Sequence, residues 1–180
     1  MNKDDKRLRL LRDVEANMVP SGDKVTLAEG NLVQITQSLG GNHTVIINGN
    51  MAQISAENAD ALGFKIEEKQ TYISNSDFSE QLVWDQLKTC YDPEIPVNIV
   101  ELGLIYDLSI QDTKDGEKNV TIIMTLTAPG CGMGPVIADE VERKVGAINN
   151  VQSVKVELVW EPQWNQAMMS EAAQLELGMF

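Results

Sequence analysis

The sequence predicts an α+β protein: a small α/β sandwich of order α-β-β-α-β-α, preceded by a small β-rich N-terminal domain. Three observations predict it. Leu104, Tyr106, Leu108 and Ile110 alternate with polar residues, and Val120, Ile122, Met124 and Leu126 repeat that alternation, the period-two pattern of half-buried strands. Ile137, Val141, Val145 and Ile148 recur at steps of four, four and three, which lays one apolar stripe along a helix. Upstream, residues 24–70 are rich in Gly, Asn and β-branched side chains, which predicts short strands joined by turns.

In chain order, residues 1–19 read as a charged leader in which Leu8, Leu11 and Val14 fall at helical spacing. Pro20-Ser21-Gly22-Asp23 ends it, and residues 20–72 form the β-rich module. Strands are expected at 32–36, 43–47 and 51–55. Asn48-Gly49 joins the last two, since both residues tolerate positive φ in a tight hairpin. The polar stretch 67–77, with Ser74-Asn75-Ser76, reads as a linker into a third segment, 73–180.

That segment opens on a helix expected over 78–90, with Asp77 as N-cap and Glu80 three residues on, and with Phe78, Leu82 and Leu87 on one face. Pro93 and Pro96 forbid its continuation. A strand over 104–111, a polar turn holding Asp115-Gly116 and a second strand over 120–127 follow. Pro129-Gly130 breaks the chain, and Pro135 suits the first turn of the next helix. Val154, Val156 and Leu158 mark a third strand, and a last helix is expected over 166–176 with Gly178 as its stop.

Composition narrows the function classes. The 180 residues are 43% hydrophobic and 23% charged, as in globular domains. A formal net charge of -13 repels phosphate backbones and anionic lipid, so neither nucleic acid nor membrane is an expected partner. Basic proteins and metal ions remain open, and the acidity also serves solubility. The charged N-terminus lacks the apolar core of a secretion signal, and no apolar run nears the roughly 18 residues of a membrane span. The expected compartment is therefore the cytoplasm, where Cys90 and Cys131 stay free thiols. One histidine, His43, excludes mechanisms that need several imidazoles.

Cys131 is the leading chemical candidate. It sits in Pro129-Gly130-Cys131-Gly132-Met133-Gly134-Pro135, between a strand end and a helix start, where three glycines let backbone approach a ligand or partner closely. The N–H groups of the following helix favour a thiolate there, a soft-metal ligand. Asp92, Glu94 and Glu101 crowd a proline-stiffened turn; their carboxylates can accept backbone N–H bonds, bind a hard metal or position a partner. The Thr127 hydroxyl supports the cysteine loop or faces solvent. Cys90 reads as a small apolar helix residue, His43 as a surface or edge-strand residue, and Trp84, Trp160 and Trp164 as packing. A cysteine enzyme would need a base beside Cys131, and the one histidine lies in the other predicted domain.

Residues 92–106, Asp92-Pro93-Glu94-Ile95-Pro96 through Glu101-Leu102-Gly103 to Tyr106, and Thr125-Leu126-Thr127-Ala128-Pro129-Gly130-Cys131 together resemble the small domain shared by cytosolic iron–sulfur assembly factors. The resemblance spans roughly 78–180. Val25 to Gly30, the run from Ile35 to Val45 and Asp60-Ala61-Leu62-Gly63 are similar to the extension of one bacterial branch of that family. Asp92, Glu101, Thr127 and Cys131 occupy the family's motif positions; Gly132-Met133 departs from relatives in which proline follows the cysteine. The resemblance implies an accessory factor, not an enzyme, that meets the assembly machinery and client apo-proteins. It implies a metal role for Cys131 on a transient Fe–S cluster, whose usual four thiolates would be completed by a second chain, as a homodimer, or by a partner. The alternative is a cofactor-free adaptor that binds clients through its acidic surface.

Overall fold

The computed structural model describes residues 7–66 and 78–179. The chain divides into two compact units, Met1–Lys69 and Gln70–Phe180. The expected boundary at 72/73, the linker 67–77 and the Asp77 cap all fall outside the described residues.

In the first unit the strands β1 (Arg7–Arg9), β2 (Val14–Val19), β3 (Lys24–Leu27), β4 (Leu32–Leu39), β5 (Asn42–Ile47) and β6 (Asn50–Ile54) form one antiparallel sheet in the order β1-β4-β5-β6-β2-β3. A single register runs through two of its pairings: Arg9 faces Leu32 in β1/β4, and Val14 faces Leu27 in β2/β3. Between them the Leu10 N–H reaches the Asn31 carbonyl at 3.0 Å and the Gly30 N–H reaches the Leu10 carbonyl at 2.8 Å. Residues 7–19 and 24–34 are therefore one long hairpin, kinked at 10–13. Because β4 also pairs with β5, β5 with β6 and β6 with β2, the sheet returns on itself around Leu10, Val14, Val33, Val45 and Ile54.

The kink is braced from outside. A 3-10 turn, Ala56–Leu62, sets the Ala61 carbonyl 2.9 Å from the Leu11 N–H, and Asp60 takes both arms of Arg12 at 2.6 and 2.7 Å. Asn48 (φ 50) and Gly49 (φ 80) turn β5 into β6, the positive-φ pair that the Asn-Gly signal predicts.

The helical leader expected over 1–19 is corrected: its described part, 7–19, holds strands β1 and β2 of the sheet, joined by the kink at 10–13. Val14 and Ala16 are buried two apart, while Leu11, which the helical spacing had placed inward, is 63% exposed. Pairing with the 24–34 arm satisfies backbone groups that a short isolated helix would leave to water, so tertiary context overrides the local spacing.

The second unit runs α1 (Glu80–Leu87), β7 (Ile105–Asp112), β8 (Lys118–Met124), α2 (Gly134–Gly146), β9 (Val151–Leu158), a 3-10 turn (Gln166–Met168) and α3 (Glu171–Glu176). Its sheet has the order β7-β8-β9, antiparallel in the first pair and parallel in the second, with α2 as the crossover. Val120, Ile122 and Met124 turn one face inward with the buried stripe Ile137, Val141 and Val145 of α2 and with Val83 and Leu87 of α1. By register the opposite face holds Ser109, Thr121 and Lys155, a polar surface.

Two helices differ from expectation. α1 begins at Glu80 after Ser79, whose side chain makes no capping bond. The helix expected over 166–176 is broken: Met169 is extended and 6% exposed, and Ser170 restarts the chain by accepting the Ala173 N–H at 3.1 Å. Serine is a strong N-cap, so the break is written in the sequence at Ser170.

Candidate functional site: three loops at one end of a sheet

Ile105 pairs with Met124, and Met124 with Leu158, so the start of β7 and the ends of β8 and β9 lie together. Three loops meet the sheet at that end: 88–104 leading into β7, 125–133 leaving β8, and 159–170 leaving β9.

The first loop is built by side chains that replace a regular ladder. Asp92 Oδ1 accepts the Glu94 N–H at 2.8 Å, and the Asp92 carbonyl accepts from Ile95 at 3.3 Å. This is an Asx turn, which two prolines stiffen. Asp92 is 6% exposed, and burial holds its carboxyl above the usual range against the lowering effect of the backbone bonds from Glu94 and Ile95. Glu94 is exposed. Asn98 Oδ1 accepts from both Val100 (3.1 Å) and Glu101 (3.0 Å), capping the single turn 98–103. Ile99, Leu102 and Leu104 are fully buried beneath it. Glu101 is half-buried, and its carbonyl accepts the Ser170 N–H at 2.9 Å.

The second loop carries the thiol. Thr125 and Leu126 are buried, Thr127 is half-buried, and Ala128, Pro129 and Gly130 are exposed. Gly130 adopts φ +75, which favours glycine. Cys131 is half-buried; its N–H reaches the Ala128 carbonyl at 3.3 Å, and its own carbonyl accepts from Gly134 at 3.2 Å. One N-terminal donor of α2 is thus engaged by the loop itself. Met133, 1% exposed, pins the loop from below. At Gly134 a methyl would come 2.8 Å from Leu126 Cδ1 and 3.2 Å from Leu158 Cδ1, so glycine lets α2 start directly against the strand ends.

The predicted site residues therefore lie on two loops at one sheet end: Asp92, Glu94 and Glu101 on the first, Thr127 and Cys131 on the second. Cys90, near the start of the first loop, is fully buried, with Sγ 3.7 Å from the Gln86 carbonyl. Burial first, then the charge of Glu140, pushes its thiol up to about 12, so it stays a neutral packing group. His43 is corrected: it is 9% exposed on β5, between β4 and β6, with Nδ1 2.8 Å from Ser38 Oγ. Its ring stacks on Phe64 at 4.7 Å between centroids, and burial lowers its pKa.

Other side chains at this sheet end tie the loops together. Asn98 carried a signal, an Asn three residues before Glu101, the spacing of a capping box. Trp164 donates from Nε1 to the Leu102 carbonyl at 2.8 Å, and the Tyr106 hydroxyl donates to the Pro162 carbonyl at 2.6 Å. Gly103 has φ +72, and a methyl there would overlap the Met168 carbonyl oxygen. Trp160, expected to pack, is 42% exposed.

One comparison with known families falls on this unit. The family described as Iron-sulfur cluster assembly protein matches residues 80–158. A Fe-S protein maturation auxiliary factor of Porphyromonas gingivalis is 45% identical over 106 residues, 58% of this chain and 97% of the relative. The auxiliary factor SufT of Staphylococcus aureus is 42% identical over 88 residues, 49% and 96% of the two chains. YitW of Bacillus subtilis is 40% identical over 93 residues, 52% and 87%. These matches are too short to include both units, and each nearly exhausts its relative. With nearly the whole of its relatives matched at this identity, the chain belongs to the family of Fe-S protein maturation auxiliary factors.

Proposed function

We propose that the chain assists iron–sulfur protein maturation in the cytoplasm by presenting Cys131 as the thiol that engages a cluster in transit, or the client receiving it. The observation that carries this reading is the contrast between the two cysteines: Cys90 is fully buried, and Cys131 alone lies on an open loop. A cluster takes about four thiolates, so Cys131 supplies one and a second copy, the assembly machinery or an apo-client supplies the rest. A shell completed from outside favours hand-over, since ligands from the recipient replace those of the donor one at a time.

Asp92 and Asn98 shape the neighbouring loop in this reading, Glu94 and Glu101 offer carboxylates to the partner, and Thr127 supports the thiol loop. The test is complementation. In cells lacking the chromosomal copy, wild type restores the activity of a [4Fe–4S] enzyme and Cys131→Ser does not; equal restoration rejects the role of the thiol.

A second reading, the cofactor-free adaptor, is favoured by the distribution of charge. Residues 89–113, 119–142 and 156–180 contain no Lys or Arg, so past Lys88, at the start of the first loop, the three loops carry Asp92, Glu94, Glu101 and Glu161 and no further cation. Such a surface steers basic segments of partners. Bound iron and sulfide separate the carrier from the adaptor.

A further inference from the structure

We propose that Tyr106 and Trp164 are positioning residues: through the segment 159–170 they set the place of the acidic loop, 92–103, relative to the Cys131 loop. The inference rests on the maturation role above and adds to it a part played by the third loop.

The segment bridges the two halves of the site. It starts on the cysteine side, where the Val159 N–H donates to the Met124 carbonyl at 2.9 Å, at the strand end from which the Cys131 loop departs. It then crosses to the acidic loop and is tied there by Trp164 Nε1 to the Leu102 carbonyl (2.8 Å) and by the Ser170 N–H to the Glu101 carbonyl (2.9 Å). Tyr106 returns the contact: its hydroxyl donates to the Pro162 carbonyl at 2.6 Å and lies 3.7 Å from Met168 Sδ.

Local sequence is adapted to this crossing at separate points. Ile105 pairs with Met124 and Asp107 with Ile123, so Tyr106 is the extra residue of a bulge, the device that re-aims a side chain out of a strand's alternation. Gly103, at φ +72, leaves the space that the Met168 carbonyl occupies. The acidic loop has its own scaffold in the Asp92 and Asn98 turns and in buried Ile99 and Leu102, so it keeps its shape without the segment. The loop's exit is held at the β8 end by the Thr125 N–H to the Leu104 carbonyl (2.9 Å), and the segment adds a second anchor further back, at Glu101 and Leu102, which sets the loop's angle to the Cys131 loop.

The test uses the full chain carrying Tyr106→Phe with Trp164→Phe, and separately Gly103→Ala, beside wild type and Cys131→Ser. Amide exchange at 160–170, the unfolding midpoint, the alkylation rate of Cys131 by iodoacetamide and the restored activity of a [4Fe–4S] enzyme in cells lacking the chromosomal copy are measured together. We expect exchange at 160–170 to rise about tenfold as two hydrogen bonds are lost, with the midpoint within about 5 °C of wild type. Cys131 alkylation should stay within about twofold, while client activity falls about tenfold or more, as displaced groups imply. Gly103→Ala should reproduce the loss by displacing the Met168 carbonyl. Freed exchange with client activity retained overturns the inference. So does exchange that rises in neither variant, or a loss of activity that only follows the amount of folded protein. If Cys131→Ser retains activity while the segment variants lose it, the thiol reading fails and this inference stands.

Discussion

Lys144 Nζ lies 2.7 Å from Glu140 Oε1, one turn apart on α2, with both side chains nearly removed from water, at 12% and 7% exposure. The pair meets as a charge contact; Glu140 Oε1 accepts no aligned hydrogen bond among the described residues. Lys144 also donates to the Thr89 carbonyl at 2.7 Å, tying the end of α1, and with it the start of the acidic loop, to α2. Removing one partner of such a pair strands a buried charge. Lys144→Met is therefore expected to destabilise the protein by roughly 3–5 kcal/mol, and Glu140→Gln in the same chain to recover much of that loss. Urea unfolding of the two variants, single and combined, checks it.

The cysteines should respond to alkylation in opposite ways. At about pH 8, iodoacetamide is expected to modify Cys131 in the folded protein and to leave Cys90 untouched until denaturant is added, because the reactive species is the thiolate. The Cys90 pKa is raised by folding, to about 12 from 9.0. Its contribution to stability is therefore complete below the unfolded value and is lost as pH rises from there toward 12. Mass mapping of labelled peptides decides; labelling of native Cys90 at the rate of Cys131 would contradict the burial argument.

Asp92 provides a pH test at the acidic end. Its carboxyl is raised by burial, so its contribution to stability is fully present below the ordinary carboxylate pKa and declines as pH rises through the folded value. Asp92→Asn keeps an oxygen to accept the Glu94 N–H and removes the charge. The stability of wild type relative to Asp92→Asn should therefore fall as pH is raised from about 3.5 to about 7. Thermal midpoints across that range measure it; a difference that grows with pH in favour of wild type would show a carboxylate stabilised, not strained, by its site.

The two units should also separate. A chain beginning at Gln70 is expected to fold alone, because its core is closed by its own helices and its relatives are matched almost entire by about half of this chain. A cooperative unfolding transition and dispersed amide resonances would be the outcome; an insoluble or molten fragment would place part of its core in the first unit.

Much of the second unit, and one hairpin of the first, was legible because the signals are local. The alternation at Val120, Ile122 and Met124 and the stripe at Ile137, Val141 and Val145 both describe buried faces, and Asn48-Gly49 does form the predicted hairpin turn. The N-terminal strands were hidden because Leu8, Leu11 and Val14 mimic helical spacing, while the fact that decides their state is pairing with residues 24–34, invisible to a local window. His43 was misread for a related reason: only the position of β5 between β4 and β6 and the stacking of Phe64 make it interior. In the candidate site, the sequence named Asp92, Glu94, Glu101, Thr127 and Cys131 one by one as candidates. Their support was not legible, because Tyr106–Pro162 and Trp164–Leu102 join residues 56 and 62 positions apart.

The most direct measurement of the central claim is iron and acid-labile sulfide per chain after oxygen-free reconstitution of wild type and Cys131→Ser. Cluster carriage through the loop thiol predicts bound iron and sulfide with visible charge-transfer absorption in wild type, and their loss in Cys131→Ser. Equal iron and sulfide in both proteins, or none in either, would contradict it and leave the acidic loops as the surface through which this factor acts.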